Sequence, residues 1–160
     1  MSAERKPGSA GRVLGVDLGS VRIGLALSDP SRTVASPHSV LRRGKDHDAD
    51  HEAIAGIAIA HEVTTIVVGL PLSLSGAKGP AARAAESEID ELRTAVGTGV
   101  QVVAHDERLT TVTAERSLDE ARMRRADRAA VVDKVAAAIM LQSWLEAPRN
   151  ARPEPRAPTR

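Results

Sequence analysis

The chain has 160 residues and a net charge of +1, and 42% of its residues are hydrophobic although only 1% are aromatic. Without cysteine it has no disulfide framework, thiolate metal site or cysteine nucleophile. Without phenylalanine or tyrosine, an aromatic platform for single-stranded nucleic acid is not expected. There is no apolar run long enough to span a membrane and no apolar leader, so we expect a cytoplasmic protein without membrane contact.

The two ends of the chain differ in composition from its middle. Met1–Gly11 and Ala147–Arg160 are rich in proline, arginine and small residues and lack apolar periodicity, so we expect disordered tails. Together they hold six basic and two acidic residues, a net charge of +4, which leaves −3 on Arg12–Glu146. We therefore predict one folded domain over residues 12–146, with a slightly acidic balance.

The first predicted elements in chain order are three strands. Val13–Asp17 is apolar on both faces, which is typical of a buried central strand. After a short turn, Arg22–Ser28 alternates large apolar residues with smaller ones. The third strand, Val34–Leu41, contains Pro37 and is therefore expected at an edge of the sheet.

The rest of the domain alternates helices with strands. Asp48–His61 has apolar residues at helical spacing, with Asp48 or Asp50 as its N-cap. The later elements are the strands Thr65–Gly69 and Val100–Ala104 and the helices Pro80–Val96, Thr111–Ala121 and Ala129–Ala147. This order predicts an α/β fold with a five-stranded mixed sheet, antiparallel over its first three strands and then parallel, and with helices on both faces. It is the element order of the ribonuclease-H-like fold.

Three acidic residues occupy positions that favour a metal site. Asp17 ends an apolar central strand, where a carboxylate is costly unless it is paired or binds a cation. Glu107 follows the strand Val100–Ala104, and Asp133 lies early in the last helix, among alanines that would let this helix approach the sheet. The predicted topology can bring these residues to one edge of the sheet, and clustered carboxylates are typical ligands of Mg²⁺ or Mn²⁺. One or two such ions would suit hydrolysis of a phosphodiester.

Each of these residues also has an ordinary structural explanation. Asp17 could cap the turn that follows it, and Asp133 could accept hydrogen bonds from amides at the start of its helix. Glu107 could pair with Arg108 or Arg116 in solvent. Spacing alone does not decide between a metal site and these structural roles.

Four blocks of the sequence resemble, in order, those of the YqgF family, which is also called RuvX. The blocks are Gly15–Asp29 (GVDLGSVRIGLALSD), Val68–Gly76 (VGLPLSLSG), Asp106–Glu115 (DERLTTVTAE) and Asp133–Leu145 (DKVAAAIMLQSWL). Members of this family are described as Holliday junction resolvases or, more commonly, as nucleases that process pre-16S rRNA. The blocks are spread over the predicted domain from near its start to near its end, and the two tails lie outside them.

The resemblance implies a ribonuclease-H-like fold and divalent-metal-dependent cleavage of structured nucleic acid, most concretely at the 5′ end of pre-16S rRNA. It maps the acidic triad of the family onto Asp17, Glu107 and Asp133, as catalytic residues and metal ligands. The alternative substrate is a four-way DNA junction. The small ribosomal subunit is a partner in the first case. The chain is expected to be a monomer or a homodimer, and resolution of a junction would require the symmetric dimer.

Arginines provide the predicted contacts to nucleic acid. Arg22, soon after Asp17, could contact the scissile phosphate or hold the geometry of the site, and the alternative is an ion pair with Asp29 or another local acid. The densest basic segment, which we call the basic patch, could position a duplex backbone or be a solvated loop between the last two helices. The basic patch comprises Arg122, Arg124, Arg125 and Arg128.

Three other features give weaker signals. Asp46–Glu52 (DHDADHE) places His47 and His51 at a metal-ligand spacing, but acidic residues are common at helix starts, so we interpret it as a solvated cap. His105 could assist proton transfer, although a structural role is simpler. The polar loop Ser73–Gly79 could close over a substrate and lacks the Walker A pattern.

Two other function classes stay open. Asp17–Ser20 (DLGS) resembles the phosphate-binding turn of the actin–hexokinase–Hsp70 superfamily, but an ATP-using enzyme of that kind needs two such domains. A non-catalytic RNA- or ribosome-binding module is the second class, and carboxylates at all three triad positions count against it. The three carboxylates of the triad carry a charge of −3, which equals the net charge of Arg12–Glu146. Two bound divalent cations would bring the net charge of the domain to +1, so we expect nucleic-acid binding to depend on metal.

Overall fold

The strands and helices lie close to their predicted positions. The computed structural model describes residues 11–70, 77–106 and 125–147, with residues 125–130 described by their backbone only. The strands are β1 Arg12–Leu18, β2 Arg22–Ser28, β3 Ala35–Arg42, β4 Val63–Leu70 and β5 Gln101–Asp106. The helices in these ranges are α1 His47–Ala60, α2 Pro80–Val96 and α3 Arg125–Glu146. The helix predicted over Thr111–Ala121 lies outside the described residues.

The strands form one mixed sheet in the order β3-β2-β1-β4-β5. β2 is antiparallel to both β1 and β3, and β4 is parallel to both β1 and β5. β3 lies at the edge that Pro37 predicts, and the register between β2 and β3 shifts where the partner residues pass from Ser39 to Pro37. The predicted five-stranded mixed sheet is confirmed.

Helices cover both faces of this sheet because the residues of β1 alternate between two cores. Leu14 packs with Ile54 of α1 and Leu92 of α2 in a core of large aliphatic side chains, which we call the α1/α2 core. Val13 points to the opposite face and packs with Leu141 of α3, in what we call the α3 core. Across the described ranges, no helix combines the length and the apolar character that a membrane crossing requires.

Two helix starts differ from the prediction. The N-cap of α1 is Asp46, whose carboxylate accepts a hydrogen bond from the amide of Asp48 at 2.9 Å, so neither Asp48 nor Asp50 is the cap. α3 begins at Arg125, four residues before the predicted start, because arginine and alanine both have high helix propensity. Arg125 therefore belongs to a helix and not to the loop before it.

Candidate active site

Asp17 lies at the carboxyl end of β1, on the face of the sheet that α3 covers. It is the next-to-last residue of the strand, and its Cα pairs with that of Gly24 in β2. Because alternate residues of a strand share a face, Asp17 points to the same side as Val13 of the α3 core. The residue is only partly buried, so its carboxylate lies near the rim of this interface and not in its centre.

Gly24 lets α3 pass close to this end of the sheet. A Cβ added at Gly24 would overlap the main-chain carbonyl oxygen of Asp133, so the observed packing requires glycine. Gly15 has a similar role nearby, since a Cβ there would lie 2.9 Å from the Cβ of Leu141. Asp17 and Asp133 are therefore neighbours of the same glycine, one across the strand pair and the other on the helix above it.

Arg22 links the first residue of β2 to the helix. Its Nε donates a hydrogen bond of 2.6 Å to Oδ2 of Asp133, and the two side chains are 36% and 27% exposed. A charge-assisted bond of this length fixes the orientation of the carboxylate. The partial exposure keeps both groups within reach of a ligand from solvent.

Asp29, the alternative partner predicted for Arg22, makes its hydrogen bonds within the turn before β3. Its carboxylate accepts hydrogen bonds from the Ser31 hydroxyl and from the amides of Thr33 and Val34. These bonds, that from Ser31 foremost, lower the pKa of Asp29 to about 2. Asp29 thus stabilises the turn before β3 and is bonded locally, while Arg22 reaches an acid that is distant in sequence.

The position of Asp133 in α3 also excludes the capping role considered for it. α3 begins at Arg125, which places Asp133 in the third turn of the helix. The unpaired amides of a helix belong to its first turn, so the Asp133 carboxylate cannot satisfy them. Its observed hydrogen-bond partner is the guanidinium of Arg22.

Several of the predicted site residues cannot be placed. Glu107, which follows the last residue of β5, and Arg122 and Arg124 of the basic patch lie outside the described residues. Arg125 and Arg128 belong to the first turns of α3, where only the backbone is described. The interpretation of these two as loop residues is therefore wrong.

The carboxylates that the structure does place suit a hard divalent cation. Asp17 and Asp133 supply oxygen donors, which Mg²⁺ and Mn²⁺ prefer, and their main chains lie beside the same glycine, one in β1 and the other in α3. Within residues 11–70, 77–106 and 125–147, no three His, Asp or Glu side chains are grouped closely enough to hold a metal ion. The third predicted ligand, Glu107, is not among these residues.

His105 occupies the position in β5 that precedes Asp106. Its Nε2 lies 3.3 Å from the Ser143 hydroxyl of α3. Burial lowers the pKa of His105, and the charge of Asp106 opposes this shift without cancelling it. A neutral imidazole that bridges β5 and α3 fits the structural role.

The largest departure from the sequence interpretation is in the segment taken for a solvated helix cap. Asp50 and His51 are 6% and 1% exposed, and His51 Nε2 lies 3.0 Å from the carboxylate of Glu88 in α2. Glu88 also binds Arg43, a residue that the sequence patterns did not single out. The sequence did carry a signal for this: His51 and Glu88 lie at helical spacing from the apolar residues that α1 and α2 bury.

Comparison with known proteins agrees with the four sequence blocks. A family model described as RuvX, Holliday junction resolvase, matches residues 11–147. A relative from Mycobacterium sp. (strain KMS), named as a proposed pre-16S rRNA nuclease, is 43% identical over 152 residues, which are 95% of this chain and 89% of the relative. A relative of the same name from Gluconobacter oxydans (strain 621H) is 47% identical over 147 residues, which are 91% of this chain and 90% of the relative.

A solved structure supports the fold. RuvC of Thermus thermophilus, in complex with a Holliday junction substrate, matches with a TM-score of 0.51 at 14% identity, over 81% of this chain and 91% of that chain. The match agrees with the ribonuclease-H-like arrangement predicted from the order of elements. Together, the family model and the two relatives extend over the whole described part of the chain, and the chain belongs to the RuvX family.

Proposed function

We propose that this protein is a divalent-metal-dependent nuclease that hydrolyses phosphodiester bonds of structured nucleic acid in the cytoplasm. The observation that carries the proposal is the convergence of Asp17 and Asp133 on Gly24, on the partly exposed rim of the α3 interface. Asp17, Glu107 and Asp133 would hold one or two Mg²⁺ or Mn²⁺ ions. We assign the nuclease domain to residues 12–146.

The residues of the chain have separate roles at such a site. When bound, the cation would lower the pKa of a water molecule and neutralise charge that develops on the phosphate. Asp17 presents a carboxylate from a strand end that the sheet holds rigidly. Arg22 holds the carboxylate of Asp133 in one orientation, and the other N–H groups of its guanidinium can donate to a phosphate oxygen.

The substrate we favour is pre-16S rRNA, because relatives at 43% and 47% identity are named for it. We place the cleavage at the 5′ end of this RNA, as the resemblance to the family implies. The alternative is a four-way DNA junction, which the description of the family model and the complex of RuvC with its junction both favour. In either case recognition would use the backbone and shape of a duplex, since the chain has no phenylalanine or tyrosine for stacking. The arginines of the basic patch would contact that backbone.

The charge of the domain predicts how binding depends on metal. Arg12–Glu146 carries −3, which equals the charge of the three proposed ligands. Without cations these carboxylates repel a phosphate backbone, and with them the site becomes cationic. We therefore expect EDTA to weaken binding of nucleic acid as well as to stop cleavage.

The deciding experiment presents the purified full chain with both substrates. A synthetic four-way junction and a precursor 16S fragment are each incubated with Mn²⁺, Mg²⁺ or EDTA, and the products are resolved on a sequencing gel. We expect cleavage with metal, and no cleavage by Asp17→Asn whose circular dichroism matches that of the unsubstituted chain. The matched control is Asp90→Asn, which changes an exposed carboxylate on α2 that pairs with Arg93.

The outcomes separate the candidate functions. Preferential cleavage of the precursor supports rRNA processing, and symmetric cuts in the junction by a dimer support resolution. Full metal-dependent activity of folded Asp17→Asn would refute the proposed site. RNA binding that is unaffected by EDTA and by Asp17→Asn, without cleavage, would instead indicate a non-catalytic module.

A further inference from the structure

A buried cluster of charged residues lies on the opposite face of the sheet from Asp133. We call it the Arg43 cluster, and it comprises Arg43, Asp50, His51 and Glu88. Arg43 follows β3, Asp50 and His51 belong to α1, and Glu88 belongs to α2. Their side chains are between 1% and 12% exposed. Charges buried to this degree are costly unless hydrogen bonds compensate them.

Glu88 is the centre of this cluster. The Nη1 and Nη2 atoms of Arg43 donate to its two carboxylate oxygens, and the second of these bonds measures 2.9 Å. His51 Nε2 lies 3.0 Å from one of the same oxygens. Burial alone would raise the pKa of Glu88, but the bonds from Arg43 and His51 outweigh it and hold this pKa below its ordinary value. The forked geometry allows little freedom to the guanidinium plane.

The third nitrogen of the Arg43 guanidinium binds the turn between β1 and β2. Its Nε donates a hydrogen bond of 2.9 Å to the carbonyl oxygen of Gly19, and the Arg43 amide donates one of 2.9 Å to the carbonyl oxygen of Val21. Both acceptors belong to the turn between β1 and β2. This turn separates Asp17, in β1, from Arg22, which begins β2.

Hydrophobic burial does not hold this turn in place. Val21, its large apolar residue, is 54% exposed, and Ser20 is exposed as well. Inside the turn, the Gly19 amide donates to the carbonyl oxygen of Asp17 at 3.2 Å. Arg43 therefore supplies two of the hydrogen bonds that fix the path of the backbone from Asp17 to Arg22.

We propose that Arg43 is a positioning residue for the active site, and that Glu88 and His51 set its orientation. Through the turn, the packing of α1 and α2 fixes where Asp17 and Arg22 present their side chains on the far face of the sheet. The effect on catalysis rests on the proposed nuclease function. The hydrogen bonds from Arg43 to the turn do not depend on that function, so the effect on the turn and the effect on catalysis are tested separately.

Arg43→Lys is the first variant, because it keeps a cation beside Glu88 and the main-chain bond to Val21. A lysine lacks the planar fork, so it cannot bind the Glu88 carboxylate in two places and Gly19 at once. Glu88→Gln is the second variant, since it leaves Arg43 in place and weakens the fork that orients it. Asp90→Asn is again the matched control, a carboxylate-to-amide change on the same helix, in an exposed pair with Arg93.

Two readouts are taken on the full chain. The first is hydrogen exchange of the amides of residues 19–22 by NMR, which we expect to accelerate about tenfold or more in both variants through local opening, while the core amides of β1 and β4 report the change in global stability. The second is nuclease kinetics with Mn²⁺, where we expect kcat to fall about tenfold or more with KM within about twofold, since small displacements of reacting groups are costly. Asp90→Asn is expected to change neither.

The two readouts keep the inferences apart. If the unsubstituted chain does not cleave any substrate, the proposed function fails, and exchange at residues 19–22 still decides whether Arg43 holds the turn. Unchanged exchange of these amides in a folded Arg43→Lys protein would overturn the proposal. An unchanged kcat in both folded variants of an active nuclease would overturn its catalytic part. If Arg43→Lys does not fold, Glu88→Gln decides by the same measurements.

Discussion

Two arginine–carboxylate pairs flank the turn between β1 and β2, one on each face of the sheet. Arg22 and Asp133 meet on the α3 face through a single hydrogen bond, and both side chains are about a third exposed. Arg43 and Glu88 meet on the α1/α2 face through a fork of two bonds, and their side chains are only 12% and 10% exposed. The same residue chemistry thus occurs in two environments, on opposite faces of the sheet beside one short turn.

The difference in exposure decides which pair can bind a ligand: the exposed pair can exchange partners, whereas the buried pair stabilises the fold. The α3-face pair can exchange its partner for a cation or a phosphate at little cost, because water screens the charges and competes for them. The buried pair cannot, because loss of one partner leaves an uncompensated charge. Matched substitutions on the two faces should therefore change different properties.

The largest expected effect concerns the α3-face pair. Asp133→Asn removes a proposed metal ligand, and we expect metal-dependent cleavage to fall about a thousandfold or more, while the free energy of unfolding changes by less than about 1 kcal/mol. Gel-based cleavage rates and urea unfolding measure the two quantities. Cleavage within tenfold of the unsubstituted protein, in a variant that folds, would show that Asp133 is not part of the chemistry.

The matched change on the other face should act mainly on stability. Glu88→Gln removes the hydrogen-bonded counter-charge of the Arg43 guanidinium and leaves it only the Asp50 carboxylate, 3.9 Å away. We expect this change to lower the free energy of unfolding by about 3 kcal/mol. Urea unfolding followed by circular dichroism provides the measurement, with Asp90→Asn as the exposed control. An equal loss of stability in Asp133→Asn and Glu88→Gln would contradict the distinction between the faces.

A third change tests the approach of α3 to the sheet. A methyl group at Gly24 would overlap the carbonyl of Asp133, so we expect Gly24→Ala to destabilise the protein by about 1–3 kcal/mol and to separate Asp133 from Asp17. Gly56→Ala in α1 is the control, since the added Cβ would meet no described atom within 4 Å other than its chain neighbours and the backbone of its own helix. It should stabilise the helix by about 0.5–1 kcal/mol. If both variants are equally stable, the close packing at Gly24 is not required.

The smallest expected effect is the pH dependence of the stability that Glu88 contributes on the α1/α2 face. The pKa of Glu88 is lower in the folded protein than its ordinary value of 4.5, so its contribution to stability is complete above about pH 4.5. That contribution is lost as the pH falls through the folded-state pKa. The stability difference between the unsubstituted protein and Glu88→Gln should therefore shrink between pH 6 and pH 3.5. A constant difference across this range, measured by urea unfolding, would argue against an ionised Glu88.

Much of the architecture was predictable from local pattern. The continuous apolar run at Val13–Asp17 indicated a central strand, and Pro37 indicated an edge, because each depends only on the chemistry of the segment itself. The order of elements, read with the usual chain-connection rules, then led to the mixed sheet. The pair Asp17 and Asp133 was also predictable, since a carboxylate at the end of a buried strand and one on a small-residue helix both require an explanation.

Other features depended on partners that the local pattern does not contain. The predicted caps of α1 were Asp48 and Asp50, but Asp46 takes that role, while Asp50 accepts a hydrogen bond from the amide of Gly44. His51 looked like part of a polar cap because its partner, Glu88, is on another helix. The partner of Arg22 was equally hidden, since Asp133 is far away in sequence.

The sequence by itself therefore determined the elements, their order and the carboxylates available for chemistry, because hydrophobic periodicity and burial cost act locally. Only the tertiary structure decided which charges face solvent and which are buried. That outcome depends on how closely two helices pack on opposite faces of one sheet, at Gly24 on one side and around Glu88 on the other. The distance between a helix and the sheet is a property of the assembled layers, and it leaves one of two similar ion pairs partly exposed and the other nearly buried.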